Sequence, residues 1–150
     1  MIIEDSSDAK NNAVINAFLE ISADRLKNGA IDFSDLQEHR FMKYWKNMCI
    51  MEMEPGQKSW KVVFWGQELV DNYGKDMTGK SFDENELGQQ AEELLRDYVE
   101  AFLHDRIAFA SGVLDWREKG HRAWHRVVMP LIKNGKKCCL SVAAFEASNG

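Results

Sequence analysis

Proline occurs only twice in the 150 residues, and no repeat or low-complexity segment interrupts the chain. With 45% hydrophobic and 29% charged residues, that scarcity excludes a Pro-rich disordered or fibrous protein. What remains is a globular profile of one ordinary domain, 17.3 kDa, able to bury roughly two-thirds of its unfolded surface. Basic excess is also missing. A formal net charge of −5 and a pI near 5.4 do not suit the release of counterions from a phosphate backbone, so nucleic acid is not an expected partner. No stretch approaches the ~20 apolar residues of a spanning helix. The opening MIIEDSSDAKNNAV has neither the basic start nor the apolar run of a signal peptide, so no membrane association and a cytoplasmic location are expected.

Cysteine is sparse too. Cys49, Cys138 and Cys139 are odd in number and lack a framework spacing, and the adjacent pair on a strand would face opposite ways. Buried thiols without structural disulfides are expected. No Ser-His-Asp order, paired-carboxylate context or phosphate-cradling glycine loop is found, and GQELVDNYG does not match the dinucleotide fingerprint. Asp115, Glu118 and Arg126 read as solvated residues at polar strand ends. His121 and His125, four apart on a strand, would stand about 13 Å from each other, too far for one ion. Met48, Met51 and Met53 beside Cys49 read as polarizable gap-fillers and not as soft-metal ligands. No catalytic residue and no metal ligand is assigned.

What is present is an ordered succession of periodic segments. Ser6, Ser7 and Asp8 are N-cap candidates for an amphipathic helix carrying Val14, Ile15, Phe18, Leu19 and Leu26, which ends at Asn28-Gly29. Ala30 to Leu36 reads as a linker. FMKYWKNMCIMEME starts as a helical turn and ends as a strand, the Pro55-Gly56-Gln57 turn follows, and SWKVVFWG is a β-prone run with Trp60, Val62 and Phe64 expected on one face. A short helix with Leu69, Val70 and Tyr73 then closes at Gly74. Ala91, Leu94, Leu95, Tyr98, Val99 and Phe102 repeat with helical spacing and predict a helix from about Asn85 to Asp105, on which His104 falls opposite the apolar stripe. Three β-like runs complete the chain, IAFASGVLDW, HRAWHRVVMPLI and KKCCLSVAAFEA, and Asn134-Gly135 between the last two is a strong hairpin signal. The expectation is an α+β fold with a five-stranded antiparallel sheet, helices on one face and an N-terminal amphipathic flanking helix. Residues 1–36 form the helix and linker in this reading, and 37–150 the domain.

Within YGKDMTGKSF the glycines Gly74 and Gly79 stand five apart. They either fold two sharp turns over the open sheet face, forming a pocket wall, or act as plain helix caps. The turn Trp65-Gly66-Gln67, the Gly74, Thr78 and Gly79 element and the Pro130, Leu131 and Gly135 hairpin occur in an order that resembles the PAS sensor-domain family, in its stand-alone bacterial type, over about Trp45 to Phe145. The resemblance implies a sensory or regulatory domain that binds without catalysis and signals in trans. Family members with heme carry a histidine on the central helix and photoactive flavin members a reactive cysteine in the helical segment. His104 is out of phase for the first, and no cysteine lies between Met51 and Lys137 for the second.

The expected pocket between sheet and helices draws on Phe64, Leu69, Tyr73, Phe82, Leu95, Trp124 and Val128, although a filled core would use the same residues. Its expected occupant is a small apolar ligand, with the cofactor unknown. The stripe Val14, Ile15, Phe18 and Leu19 is offered as a homodimer contact, with capping of its own domain as the alternative. Two other readings stay open: a small cone-shaped α+β enzyme with an acid or base in the same pocket, and a dimerisation or adaptor module with a filled core.

Overall fold

A computed structural model describes residues 3–53, 59–82, 95–116 and 120–147, with backbone alone at 3, 82, 114–116, 120–122 and 147. In chain order the elements are β1 (Ile3–Glu4), α1 (Ser7–Lys10), α2 (Ala13–Ser22), β2 (Ile31–Asp32), α3 (His39–Met42), β3 (Met48–Met53) and β4 (Trp60–Trp65). They continue with α4 (Gln67–Tyr73), β5 (Ser81–Phe82), α5 (Arg96–His104), β6 (Ala108–Trp116), β7 (Gly120–Lys133) and β8 (Lys136–Ala147). Two turns of 3-10 helix flank α3, at Asp35–Gln37 and Trp45–Asn47. Among the described residues no helix is long and apolar enough to cross a membrane.

The fold is α+β, built on one open mixed sheet. Its strand order is β1-β6-β7-β8-β3-β4-β5, with β2 pairing β7 off that path. The expected five antiparallel strands are therefore too few. Among the described residues, five strands of six or more residues form the body, and three two-residue strands extend it. One of these, β2, runs parallel to β7 at Ile31↔Leu131 and Asp32↔Ile132. Such short edge pieces carry no periodicity of their own and follow from where tertiary packing brings the chain.

The long hairpins obey local chemistry. Asn134 and Gly135 have φ of 52° and 76°, both left-handed, and join β7 to β8 directly after the Lys133↔Lys136 pair. Two positive-φ residues match the right-handed twist of the flanking strands. Pro130 sits where β7 has lost β6, whose last partner is Val128, and has not yet met β2 at Leu131. A residue without an N–H is best tolerated at such a gap. Gly74, with φ 85°, caps α4 in the left-handed conformation, its N–H donating to the Val70 carbonyl.

The N-terminal segment departs from the single expected helix. Asn12 accepts from the amides of Val14 and Ile15 and so caps a second helix, splitting the run into α1 and α2. Neither is a free flanking element. Ile15 and Phe18 are fully buried against the outer sheet face with Phe41, Met129, Leu131 and Leu140, and Val14 and Leu19 pack on the same cluster. The stripe offered for dimerisation is thus covered by its own chain. The expected linker is structured as well, since Ile31 and Leu36 are core residues.

The inner face carries a second cluster in which Cys49, Met51, Trp60, Val62, Val128 and Cys139 meet Leu69 of α4 and Tyr98 and Ala101 of α5. Of the predicted helix at 85–105, Arg96–His104 is described, while Ala91 and Leu94 lie outside the described residues. His104 is exposed, as its helical phase requires.

Candidate functional site

Strand alternation places Trp124, Arg126 and Val128 of β7 on the inner face, and α5 lies across them. With β3 and β8 they border a partly open cavity of about 80 Å³, lined mainly by Cys49, Met51, Leu69, Tyr98, Trp124 and Arg126. Tyr73, Trp65, Leu95, Ser141 and Ala143 complete the wall.

Arg126, read from the sequence as a solvated strand-end residue, is 8% exposed and faces this cavity. The reason for the correction is its register. It lies in mid-sheet, opposite Ala110 of β6 and Ala143 of β8. Its Nε donates to Asp97 Oδ2 at 2.6 Å and its Nη2 to Asp97 Oδ1 at 2.7 Å, a two-pronged bond from strand to helix. The guanidinium also lies 4.8 Å from the Tyr98 ring centroid and 4.6 Å from that of Trp124. Burial, the largest single influence, opposes its charge, yet the Asp97 carboxylate and the oxygens of Tyr98 and Tyr73 together raise its pKa above the ordinary arginine value. Asp115 and Glu118, read in the same way, lie outside the described side chains.

Tyr98 donates its hydroxyl to Ser141 Oγ at 2.8 Å. Burial raises the pKa of Tyr98 and of Tyr73, and it pushes the Cys49 thiol up to about 12. These groups are neutral at physiological pH. The Trp124 indole packs against its cross-strand partner Gly112, where an added Cβ would come within 2.3 Å of the ring. Only a residue without a side chain at 112 leaves the ring room in its place beside Arg126.

Of the seven expected pocket residues, Leu69, Tyr73, Leu95 and Trp124 line the cavity. Val128 is buried in the cluster behind it. Phe82 joins β4 through backbone pairing with Trp60, and its side chain lies outside the described ones. Phe64 is the correction, because it faces the other side of the sheet. Pairing runs Cys49↔Trp65, Ile50↔Phe64 and then Met51↔Val62, so Val63 is an extra, bulged residue. A bulge resets the alternation, and the expected grouping of Trp60, Val62 and Phe64 on one face breaks after Val62.

Sequence reasoning missed Asp97, Arg126, Ser141 and the pairing of Tyr98. One signal was available for Arg126, since it stands two residues from both Trp124 and Val128, which were already assigned to the inner face. Nothing comparable marked Asp97, whose partner is 29 residues away.

At one end of the outer face a polar chain was also unforeseen. Ser6 Oγ lies 2.7 Å from Ser111 Oγ, Ser111 Oγ 2.7 Å from His125 Nδ1, and His125 Nε2 2.9 Å from Glu146 Oε1. His125 is thus a buried structural histidine that ties the α1 cap, since Ser6 Oγ also accepts from the Ala9 amide, to three strands. Its separation from His121 on the strand stands, although the His121 side chain is outside the described ones. Met48, Met51 and Cys49 are core residues at 1–2% exposure. Among the described residues no group of three or more His, Cys, Asp or Glu is placed to hold a metal ion.

Searches against protein-family models, curated proteins and solved structures find no match to this chain.

Proposed function

We propose that this chain is a non-catalytic, PAS-like sensory or regulatory domain that takes a small, mainly apolar ligand into the inner chamber and passes the resulting change to a partner protein in trans. The observation that carries the reading is the chamber itself. Leu95 and Tyr98 at the start of α5 form one wall of it, and α5 is tied to the sheet there by a buried ion pair, Asp97 with Arg126, and by the Tyr98 hydroxyl on Ser141. A cavity of about 80 Å³ is roughly half the ~150 Å³ that accepts a benzene-sized molecule. A ligand of that size or larger overfills the cavity and bears on α5 and its ion pair, and a ligand that prefers a displaced arrangement of α5 shifts the equilibrium toward it. Binding and signal would then be the same movement.

The PAS-like assignment is supported by the order of the long strands, β4-β3-β8-β7-β6, in which the last three strands in sequence are contiguous and antiparallel, as the resemblance implies. The enzyme alternative is disfavoured by the protonation states in the chamber. Burial keeps the thiol of Cys49 and the phenols of Tyr73 and Tyr98 neutral, and both oxygens of Asp97 accept from Arg126. No base or nucleophile poised near neutral pH stands among these groups.

Native mass spectrometry of the freshly purified chain tests the reading. A retained small molecule is expected, and it should be lost from Ala143→Leu, which adds three carbons inside the chamber. A bare protein mass, together with a melting temperature unmoved by any member of a library of small apolar fragments, would leave the filled-core adaptor reading instead.

A further inference from the structure

The bulge at Val63 does more than misplace one residue. It turns Phe64 to the outer face, where it borders a second cavity of about 320 Å³ with Phe33, Leu36, Trp45, Met48 and Ile50. That volume lies within the range of small-molecule sites and is four times that of the inner chamber. Bulges commonly re-aim a side chain beside a functional site.

The walls are preformed. Trp45 Nε1 donates to the Leu36 carbonyl at 2.8 Å, which fixes the indole plane. The turn that carries Trp45 is pressed onto Gly66, where an added Cβ would stand 2.4–2.5 Å from the carbonyls of Lys46 and Trp45. Only glycine allows that approach, so the turn and its indole are held by backbone contact. Met48 and Ile50 form a floor at 1% and 3% exposure, whereas Trp45 and Phe64, each 37% exposed, leave aromatic surface facing the opening. None of the described lining side chains carries a charge, and, the Trp45 N–H being engaged by Leu36, Gln37 alone among them offers a side-chain hydrogen-bonding group.

We infer that this outer pocket is a binding site for a small, flat, uncharged aromatic molecule, separate from the inner chamber. Two aromatic side chains at the opening favour a planar guest, through stacking or edge contacts that add to the burial of its apolar surface. The absence of lining charge disfavours an ionised guest, whose desolvation nothing there would offset. Gln37 suits a guest with one N–H or O–H. β3 separates the two sites, with Met48 and Ile50 facing the outer pocket and Cys49 and Met51 the inner chamber.

Indole is a suitable probe. The full chain is titrated with it while methyl signals are followed by proton–carbon correlation NMR. Saturable shifts are expected at Met48 and Ile50, with Met51 and Leu69 unmoved. Phe64→Ala removes surface that is already partly exposed, so the fold should persist while affinity drops roughly two- to tenfold. Four outcomes would overturn the inference: no saturable shift up to about 1 mM probe, where weak specific binding would still register; shifts confined to Met51 and Leu69; undiminished affinity in Phe64→Ala; or a full-length dimer that Phe64→Ala converts to monomer, which would make the pocket a contact between copies. The inner-chamber experiment reads a retained mass and its loss in Ala143→Leu, so either reading can fail without the other.

Discussion

The two faces of the sheet are made by the same strands and are held by different physics. On the outer face, Phe18, Phe41, Met129, Leu131 and Leu140 are fully buried with no polar group among them, and the polar contacts around them, the chain from Ser6 to Glu146 and the Trp45 indole on the Leu36 carbonyl, involve no buried ion pair between described residues. On the inner face a guanidinium and a carboxylate are buried together and satisfy each other, and beside them a tyrosine hydroxyl donates to Ser141. The outer face depends on filled volume, where each lost carbon is felt locally. The inner face depends on completeness, because a buried charge is tolerable only while its partner is in place. Such a face is the better place for a switch, since one altered contact changes the balance of the whole group.

The strongest way to break this comparison is to remove one partner of the ion pair. Asp97→Leu should cost about 3–5 kcal/mol because it removes the carboxylate that both prongs of buried Arg126 bond, whereas adding Arg126→Met to Asp97→Leu should recover most of that loss. Chemical denaturation of the single and double variants gives both numbers. A double variant as unstable as the single one would show that the inner face depends on volume after all.

Alkali should separate the faces next. In the unfolded chain thiols titrate near ~8.5 and phenols near ~10, while burial in the fold holds Cys49 up to about 12 and raises Tyr98 and Tyr73. Between those limits the unfolded chain loses protons that the folded chain keeps. Stability is therefore fully present below about pH 8.5 and falls as pH rises, by up to roughly 1.4 kcal/mol per pH unit for each group that titrates only when unfolded. Denaturation midpoints from neutral pH to pH 11 should trace that decline, and Cys49→Ala should make it shallower.

The smallest effect is expected at the end of the outer face. Ser111→Ala removes the link between Ser6 and His125 and should cost about 1–2 kcal/mol. Its signature would be faster amide exchange at Ala9 and Lys10, whose N–H groups donate to Ser6, with exchange in α5 unchanged.

Much of the framework was legible because local rules dictate it. Asn134-Gly135 demanded a hairpin, Gly74 a helix end, and the alternation along β7 and β8 long strands, since each depends on backbone conformation or on a period read within a few residues. The split of the N-terminal helix was locally encoded as well, in the Asn12 cap, but the apolar stripe running across it masked the break. The inner pocket was half legible for the same reason. Leu69, Tyr73, Leu95 and Trp124 announce themselves by apolar periodicity, whereas Arg126 and Asp97 look like surface residues until the fold supplies each with the other.

By itself, then, the sequence determined the α+β composition, the turn positions and which residues are apolar enough to be buried, because propensity, φ preference and periodicity are properties of neighbouring residues. Only the tertiary structure decided which face each residue joins and which charges meet. The Val63 bulge exists only against β3, and it transfers Phe64 from the inner face to the outer. The short strand β2 exists only where β7 outruns β6, and Arg126 is a buried cation only because α5 brings Asp97 across 29 residues to meet it. These are pairings between distant segments, and their energies arise from desolvation and register, which no local window contains.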